Sequence, residues 1–184
     1  RYLFSVSCRV DGSSVFGKNN KWGVFPAGSF AWRINEEEWL KDVNWLTNLK
    51  LRASIGSVGN QAISPYQTQG LVDSYYMQFG DGAPLVGYLP GTQLQNPDLK
   101  WETTTSTNVG IDLGFLQDRI NATIEYYYTR TTDLLVEKSI NQTSGYATQL
   151  VNMGAVENQG LEISAHFVPI RKKNFTWNIN AIWS

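Results

Sequence analysis

Cysteine, histidine and charge are all scarce in this 184-residue chain. The single cysteine, Cys8, excludes a disulfide within the chain and any cysteine metal cluster. The single histidine, His166, leaves a histidine-based catalytic pair or metal site without its second member. Charged residues make up 17% of the chain, against about 25% in ordinary soluble domains. The formal net charge of −1 supplies no electrostatic footprint for nucleic acid. No apolar run reaches the roughly 18 residues of a membrane helix. There is no signal peptide, the first residue is Arg1, and Ser184 falls inside a regular alternation, so the expectation is a piece of a longer polypeptide.

What the chain does have is alternation and aromatics: 7 Trp, 9 Tyr and 8 Phe. In GIDLGFLQDRINATIEYYYT (Gly110 to Thr129) two polar-apolar alternations meet across a short turn. Period two is the signature of a half-buried antiparallel strand. Seven such segments occur. Their apolar faces are Tyr2 to Val10, Val24 to Ile34, Leu49 to Ile55, Val109 to Phe115, Ile120 to Tyr128, Leu161 to Phe167 and Phe175 to Trp183, in each case counting alternate residues. None of these faces carries a charge. The opposite faces carry Arg9, Arg33, Lys50, Arg52, Asp112, Glu125 and Glu162.

One short helix is expected between the second and third strands. Asn35 would cap it, Glu36 to Glu38 suit its positive N-terminal end, and Trp39, Leu40, Val43 and Leu46 recur at helical spacing. The connections alternate in kind. A Gly/Asn/Ser loop (Asp11 to Lys21) and two long segments, roughly Ser57 to Lys100 and Thr131 to Met153, fall at one end of the sheet. The helical connector, the turn at Gln117 and Asp118, and residues 169 to 173 fall at the other. Loops of such length without secondary structure tend to be functional.

The apolar faces rest either on a second layer of protein, as in a β-sandwich, or on lipid. Loop asymmetry matches a transmembrane barrel, with short turns on the periplasmic side and long loops outside. In that orientation Trp32, Phe115, Phe167, Phe175 and Trp177 lie near the periplasmic strand ends. Tyr126, Tyr128 and Trp183 lie nearer the outer ends, so two aromatic bands flank an aliphatic middle. Several alternations last about the 9–11 residues that a tilted strand needs to cross a bilayer. The fold class expected is therefore all-β: an antiparallel transmembrane β-barrel fragment of about seven strands, with one short helix in a periplasmic connector.

Four blocks carry a family resemblance. RVDGSSVFGKNNKWGVFPAGSFAWRI (Arg9 to Ile34), LTNLKLRASIGSVGNQ (Leu46 to Gln61), NPDLKWETTTSTNVGIDLGFL (Asn96 to Leu116) and NMGAVENQGLEI (Asn152 to Ile163) resemble, in that order, the barrel of SusC/RagA-type TonB-dependent outer-membrane transporters of Bacteroidetes. The resemblance implies a barrel of roughly 22 strands filled by a plug, in the outer membrane of a Gram-negative bacterium. It implies uptake of large nutrients such as oligosaccharides or peptides, driven by TonB-ExbB-ExbD, with a SusD-like surface lipoprotein over the mouth. On this reading residues 1–184 are a partial TonB-dependent receptor β-barrel domain, and the plug, the TonB-binding segment and the barrel C-terminus lie outside it.

Neither catalytic residues nor a cofactor or metal site is expected. DGSSVFGKNN lacks the Walker pattern and the acidic ligands of a calcium loop, and reads as turn chemistry. Glu36 to Glu38 have no companion nucleophile or base. The triplets at Asn121, Asn141 and Asn174 are chance glycosylation matches in such a barrel. Lumen-facing Arg52, Asp112, Glu125, Glu162 and His166 are expected to hold a plug or neighbouring strands through ion pairs and hydrogen bonds. Tyr66, Tyr75, Tyr76, Tyr88 and Trp101, in or beside the longest loop, are candidates for stacking on sugar rings or anchoring a lipoprotein; the competing reading is that they pack the loop on itself. At the level of the whole chain the alternatives are a soluble all-β carbohydrate-binding module and a hydrolytic outer-membrane barrel.

Overall fold

A computed structural model describes residues 1–41 and 43–184. Among the described residues there are twelve strands: β1 (Tyr2–Gly12), β2 (Trp22–Arg33), β3 (Leu46–Asn60), β4 (Val72–Met77), β5 (Leu85–Pro90), β6 (Gln93–Leu94), β7 (Glu102–Phe115), β8 (Ile120–Thr132), β9 (Leu135–Ser139), β10 (Thr148–Asn152), β11 (Ala155–Lys172) and β12 (Phe175–Trp183). Seven of them form one antiparallel sheet in the order β1-β2-β3-β7-β8-β11-β12. These are the seven alternating segments of the sequence. The sheet is open, with β1 and β12 at its edges.

The register aligns the apolar faces of all seven strands. One row runs Trp32, Leu51, Ile111, Ile124, Ile163, Trp183, and the next includes Phe4, Phe30, Ala53, Val109, Tyr126 and Leu161. Such rows lie perpendicular to the strands. With the roughly 40° tilt of barrel strands and about 4.8 Å between neighbours, five steps climb on the order of 15 Å. Trp32 closes β2 at the short-turn end, whereas Trp183 closes β12 at the long-loop end. The oblique row therefore carries an indole to each border of the band and leaves aliphatic residues between them.

The same face turns polar just beyond that band. Arg130 Nε meets Glu157 Oε1 at 3.4 Å, and the Tyr126 hydroxyl donates to Gln159 Oε1 at 2.9 Å. From Ile120 to Arg130 is ten residues, about 33 Å along the strand and about 25 Å once tilted, the height of the apolar belt of a membrane barrel.

Three short connections lie at one end: residues 34–45, 116–119 and 173–174. The 116–119 turn is left-handed at three successive non-glycine residues, Leu116, Gln117 and Asp118, with φ of 55°, 58° and 60°. Its hydrogen bonds hold it there: Leu116 N–H donates to Trp45 O at 2.9 Å and Gln117 N–H to Thr47 Oγ1 at 3.0 Å. β11 runs further than its alternation promised. A bulge between Phe167 and Ile170 accommodates Pro169, which has no N–H to give a ladder, and pairing resumes to Lys172.

Two expectations are corrected. The helix after β2 is a single 3₁₀ turn, Ile34–Glu36, capped by no side chain. Beyond it the chain makes successive i to i+3 hydrogen bonds, Glu37 N–H to Ile34 O, Leu40 to Glu37, Val43 to Leu40 and Leu46 to Val43. Asn35 does not cap; its Nδ2 donates to Thr47 O at 3.3 Å. The acidic residues are drawn to cations and an indole rather than to a helix end: Glu36 pairs with Arg33 at 2.7 Å, and Glu37 accepts from Trp32 Nε1 at 3.0 Å.

The second correction concerns the long loops, which have secondary structure of their own. β4 and β5 form an antiparallel hairpin, and β6-β10-β9 a small mixed sheet with β6 and β10 parallel. Beside them Phe16, Leu99 and Leu150 form a buried cluster, joined by Val15, Ile63, Trp101 and Leu135. Three separate connections, β1–β2, β3–β7 and β8–β11, thus share one small apolar core at the long-loop end.

Candidate functional site

The polar face of the main sheet concentrates its charge in three neighbouring strands. β3 alternates Lys50 and Arg52 with Leu49, Leu51 and Ala53; β7 sets Asp112 on the same side; β8 sets Glu125 there. Arg52, Gly110 and Glu125 stand side by side across β3, β7 and β8. Arg52 reaches over the middle strand, with Nη2 2.6 Å from Glu125 Oε2 and Nε 3.3 Å from Asp112 Oδ1. Gly110 makes the crossing possible, because a Cβ there would sit 3.1 Å from Cζ, Nε and Nη2 of Arg52. Lys50 Nζ lies 2.9 Å from Asp112 Oδ2, and Thr123 Oγ1 donates to Asp112 Oδ1 at 3.2 Å. The network staples three strands on the side away from the apolar face, and its charges are largely neutralised within it.

Of the five polar residues expected on this face, the structure brings three together: Arg52, Asp112 and Glu125. Glu162 stands opposite Glu125 on β11, exposed and without an ion-pair partner among the described residues. His166 is separate. Its Nδ1 lies 2.6 Å from Asn180 Oδ1 on β12, nearer the short-turn end. Thr123 and Gly110 are members of the network that were not singled out, and Lys50 was placed on the charged face but not among the five. Lys50 was legible from its alternation with Leu49 and Leu51; the need for a glycine at 110 was not, because it depends on which strand lies between Arg52 and Glu125.

At the short-turn end a second polar cluster ties β1 and β2 to the connector. Glu37 accepts from Trp32 Nε1 at 3.0 Å, from the Tyr2 hydroxyl at 3.1 Å and from Arg1 Nη1 at 3.2 Å. The Trp32 N–H above all holds the Glu37 carboxyl below the usual carboxylate range, with Tyr2 and Arg1 adding to it.

The aromatic candidates separate into three places. Tyr66 occupies an exposed turn with φ of 67°. Tyr76 and Tyr88 share one face of the β4–β5 hairpin, and Tyr75 lies on the other, its hydroxyl 3.1 Å from Met77 Sδ. Both faces of this hairpin are open: Tyr76 is 77% and Tyr88 69% exposed on one, and Leu85 60% and Leu89 52% on the other. Trp101 belongs instead to the small apolar core, with its ring centroid 5.1 Å from Phe16 and 5.7 Å from Phe25. β2 and β3 stop pairing at Ala27 and Gly56, and Phe25 lies by Gly59, where a Cβ would come 2.1 Å from the ring.

An antiparallel sheet that is apolar on one side, stapled by ions on the other, and asymmetric in its loops is a section of a membrane β-barrel wall. The soluble-module alternative required a second layer of β-structure over Ile111, Ile124 and Ile179. Neither small sheet packs on that face among the described residues, and Val109, Tyr126 and Ile179 are each about two-fifths exposed (45%, 45% and 39%). The whole chain, residues 1–184, matches the model of the TonB dependent receptor-like β-barrel family, and the chain belongs to that family. It is 40% identical over 190 residues to the TonB-dependent receptor SusC of Bacteroides thetaiotaomicron, covering 100% of this chain and 19% of that protein. Identity to TonB-dependent receptor P3 of Formosa agariphila is 39% over 178 residues, 97% of this chain and 18% of that one. Among solved structures, one of the RagAB peptide transporter superposes with a TM-score of 0.83 at 30% identity, over 98% of this chain and 19% of the transporter chain. The chain thus spans about a fifth of the length of the relatives it matches.

Proposed function

We propose that this chain is part of the wall and outer loops of a TonB-dependent active transporter in the outer membrane of a Gram-negative bacterium, importing large nutrients such as oligosaccharides or peptides. The observation that carries the proposal is the charge-free apolar face continuous across seven strands, opposite an internally neutralised ionic network. Hydrocarbon covers the apolar face; the polar face lines the lumen, where Glu162 and His166 remain available to a plug. Lipid contact also explains why charge is confined to one side, since an Arg or Lys facing lipid at the midplane costs roughly 2–4 kcal/mol.

The wall performs no bond chemistry in this reading. Energy comes from TonB-ExbB-ExbD through a region of the protein outside residues 1–184, and a SusD-like lipoprotein caps the mouth. The β4–β5 hairpin supports the second partnership. A lone two-stranded hairpin is marginal in water, and one that exposes Val72, Tyr76, Phe79 and Tyr88 needs a cover. Tyr76 and Tyr88 meet the lipoprotein or the cargo, with Tyr66 and Tyr75 at its margins, whereas Trp101 supports the loop core from beneath.

The test is fractionation and uptake with the full-length protein. It is expected in the outer-membrane fraction, released only by detergent, and nutrient uptake through it is expected to stop when TonB is deleted. Recovery in the soluble fraction, or uptake indifferent to TonB, overturns the proposal. Alanine at both Tyr76 and Tyr88 is expected to reduce growth on the imported nutrient while leaving the amount of barrel in the membrane unchanged.

A further inference from the structure

The β1–β2 loop is not a loose excursion. Ser13 N–H donates to Lys21 O at 2.8 Å, closing its base, and Asn20 N–H donates to Gly17 O at 3.1 Å. Phe16 is buried in the loop core. Three further contacts fix the tip on other segments: Thr68 Oγ1 donates to Val15 O at 3.2 Å, Asn20 Nδ2 donates to Asp98 O at 2.9 Å, and Gly17 lies so close to Pro97 that an added Cβ would reach 2.0 Å from its carbonyl oxygen. Glycine is required there by contact with another backbone, which holds the loop in one position.

Between these segments lies a cavity of about 540 Å³, large enough for two or three sugar rings' worth of contact. Ser14, Lys18, Lys21, Gln69 and Gln95 line it, with Phe16 and Pro97 as its apolar wall. Neither lysine has an ion-pair partner among the described residues, whereas Arg9 near the outer end of β1 pairs with Asp11, Lys100 with Asp133 and Arg130 near the outer end of β8 with Glu157. The lining carries two positive charges and no carboxylate. The 47 residues from Ala53 to Leu99, which supply its far side, contain no Lys or Arg at all. The two lysine charges are thus isolated rather than part of a general basic surface.

We propose that this cavity is a binding site for a negatively charged oligosaccharide, one bearing carboxylate or sulfate groups. Lys18 and Lys21 take the anionic groups, and the side-chain amides of Gln69 and Gln95 with the Ser14 hydroxyl take sugar hydroxyls. A peptide fits the lining less well. No lining residue lies in a strand, so there is no free edge for a peptide backbone to pair with. The inference narrows the cargo class of the transporter reading and rests on it for the meaning of the site; the binding measurement itself does not depend on transport.

The experiment uses the full-length protein purified in detergent, with tetragalacturonic acid, a sulfated carrageenan tetrasaccharide, neutral maltotetraose and tetra-aspartate as probes. Wild type is expected to bind at least one charged saccharide at least ten-fold more tightly than maltotetraose, with affinity falling as salt rises. K18Q/K21Q is expected to lose roughly ten-fold or more, the equivalent of one charge-assisted hydrogen bond, for that saccharide alone. K18R/K21R is expected to retain binding, and an unchanged heat-modifiable gel shift verifies that each variant is folded. Preference for carboxylate over sulfate, or the reverse, identifies the anionic group. Equal binding of charged and neutral saccharides, insensitivity to K18Q/K21Q, or tighter binding of tetra-aspartate than of either charged saccharide overturns the proposal. Outer-membrane fractionation of the same strains reports separately on the transporter reading.

Discussion

The two faces of the seven-stranded sheet are made from the same strands and the same backbone, yet they solve opposite problems. On one face, Ile111, Ile124 and Ile163 stand in a row with no hydrogen-bonding partner to offer and no charge near them. On the other, one residue along each strand, Arg52, Asp112, Glu125 and Thr123 exchange ion pairs and hydrogen bonds across three strands. A shift of a single residue in register would exchange the two environments. Lys50 and Arg52 would then meet hydrocarbon, so the chemistry that makes the faces different also fixes how the strands pair.

The largest expected effect comes from moving charge across the sheet. Ile124→Arg places a cation in the apolar row and is expected to cost roughly 2–4 kcal/mol, seen as loss of the folded, heat-modifiable form from the outer membrane. Thr123→Arg, on the opposite face, is expected to leave that form in place. Equal outcomes at 123 and 124 would break the comparison. Next comes Gly110→Val. Its side chain enters the space occupied by the Arg52 guanidinium, so Arg52 must leave Glu125, with an expected loss of about 1–3 kcal/mol in chemical unfolding. The same substitution in an Arg52→Ala background is expected to cost much less, because the clash is gone.

A smaller effect is expected for the Arg52–Glu125 pair itself. Both side chains are partly open to solvent (34% and 25%), so a double-mutant cycle with Arg52→Ala and Glu125→Ala is expected to give a coupling of roughly 1 kcal/mol. The smallest effect concerns pH. Because its folded-state carboxyl titrates below the usual range, the Glu37 cluster contributes stability at neutral pH. That contribution is lost as pH falls through the lowered folded value. Trp32 indole fluorescence is expected to report a transition below the ordinary carboxylate range, absent in Glu37→Gln.

Much of the wall was legible because period two is a one-dimensional signal: Ile120 to Tyr128 shows its two faces without reference to any neighbour. The seven strands of the main sheet, their order along the chain and the side carrying charge all follow from that. What could not be read depends on what lies beside a residue in space. The glycine at 110 matters because Arg52 passes above it. Phe16, Leu99 and Leu150 belong together only once three distant loops meet. The connector at Glu36 to Glu38 misled for a related reason. Three glutamates suit the start of a helix, but Arg33 and Trp32 lie close enough to claim two of them. Among the aromatic candidates, Tyr76 and Tyr88 are exposed as a loop position implies, whereas Trp101 is tucked against Phe16, a contact that 84 residues of intervening chain conceal.

Single nitroxide labels at positions 123 and 124 of the full-length protein in its native bilayer test the assignment of the two faces most directly. Collision with lipid-soluble oxygen and with a water-soluble nickel chelate would be measured at each. The label at 124 is expected to meet oxygen and be shielded from the chelate, and the label at 123 to do the reverse; chelate access at 124 equal to that at 123 would contradict the account.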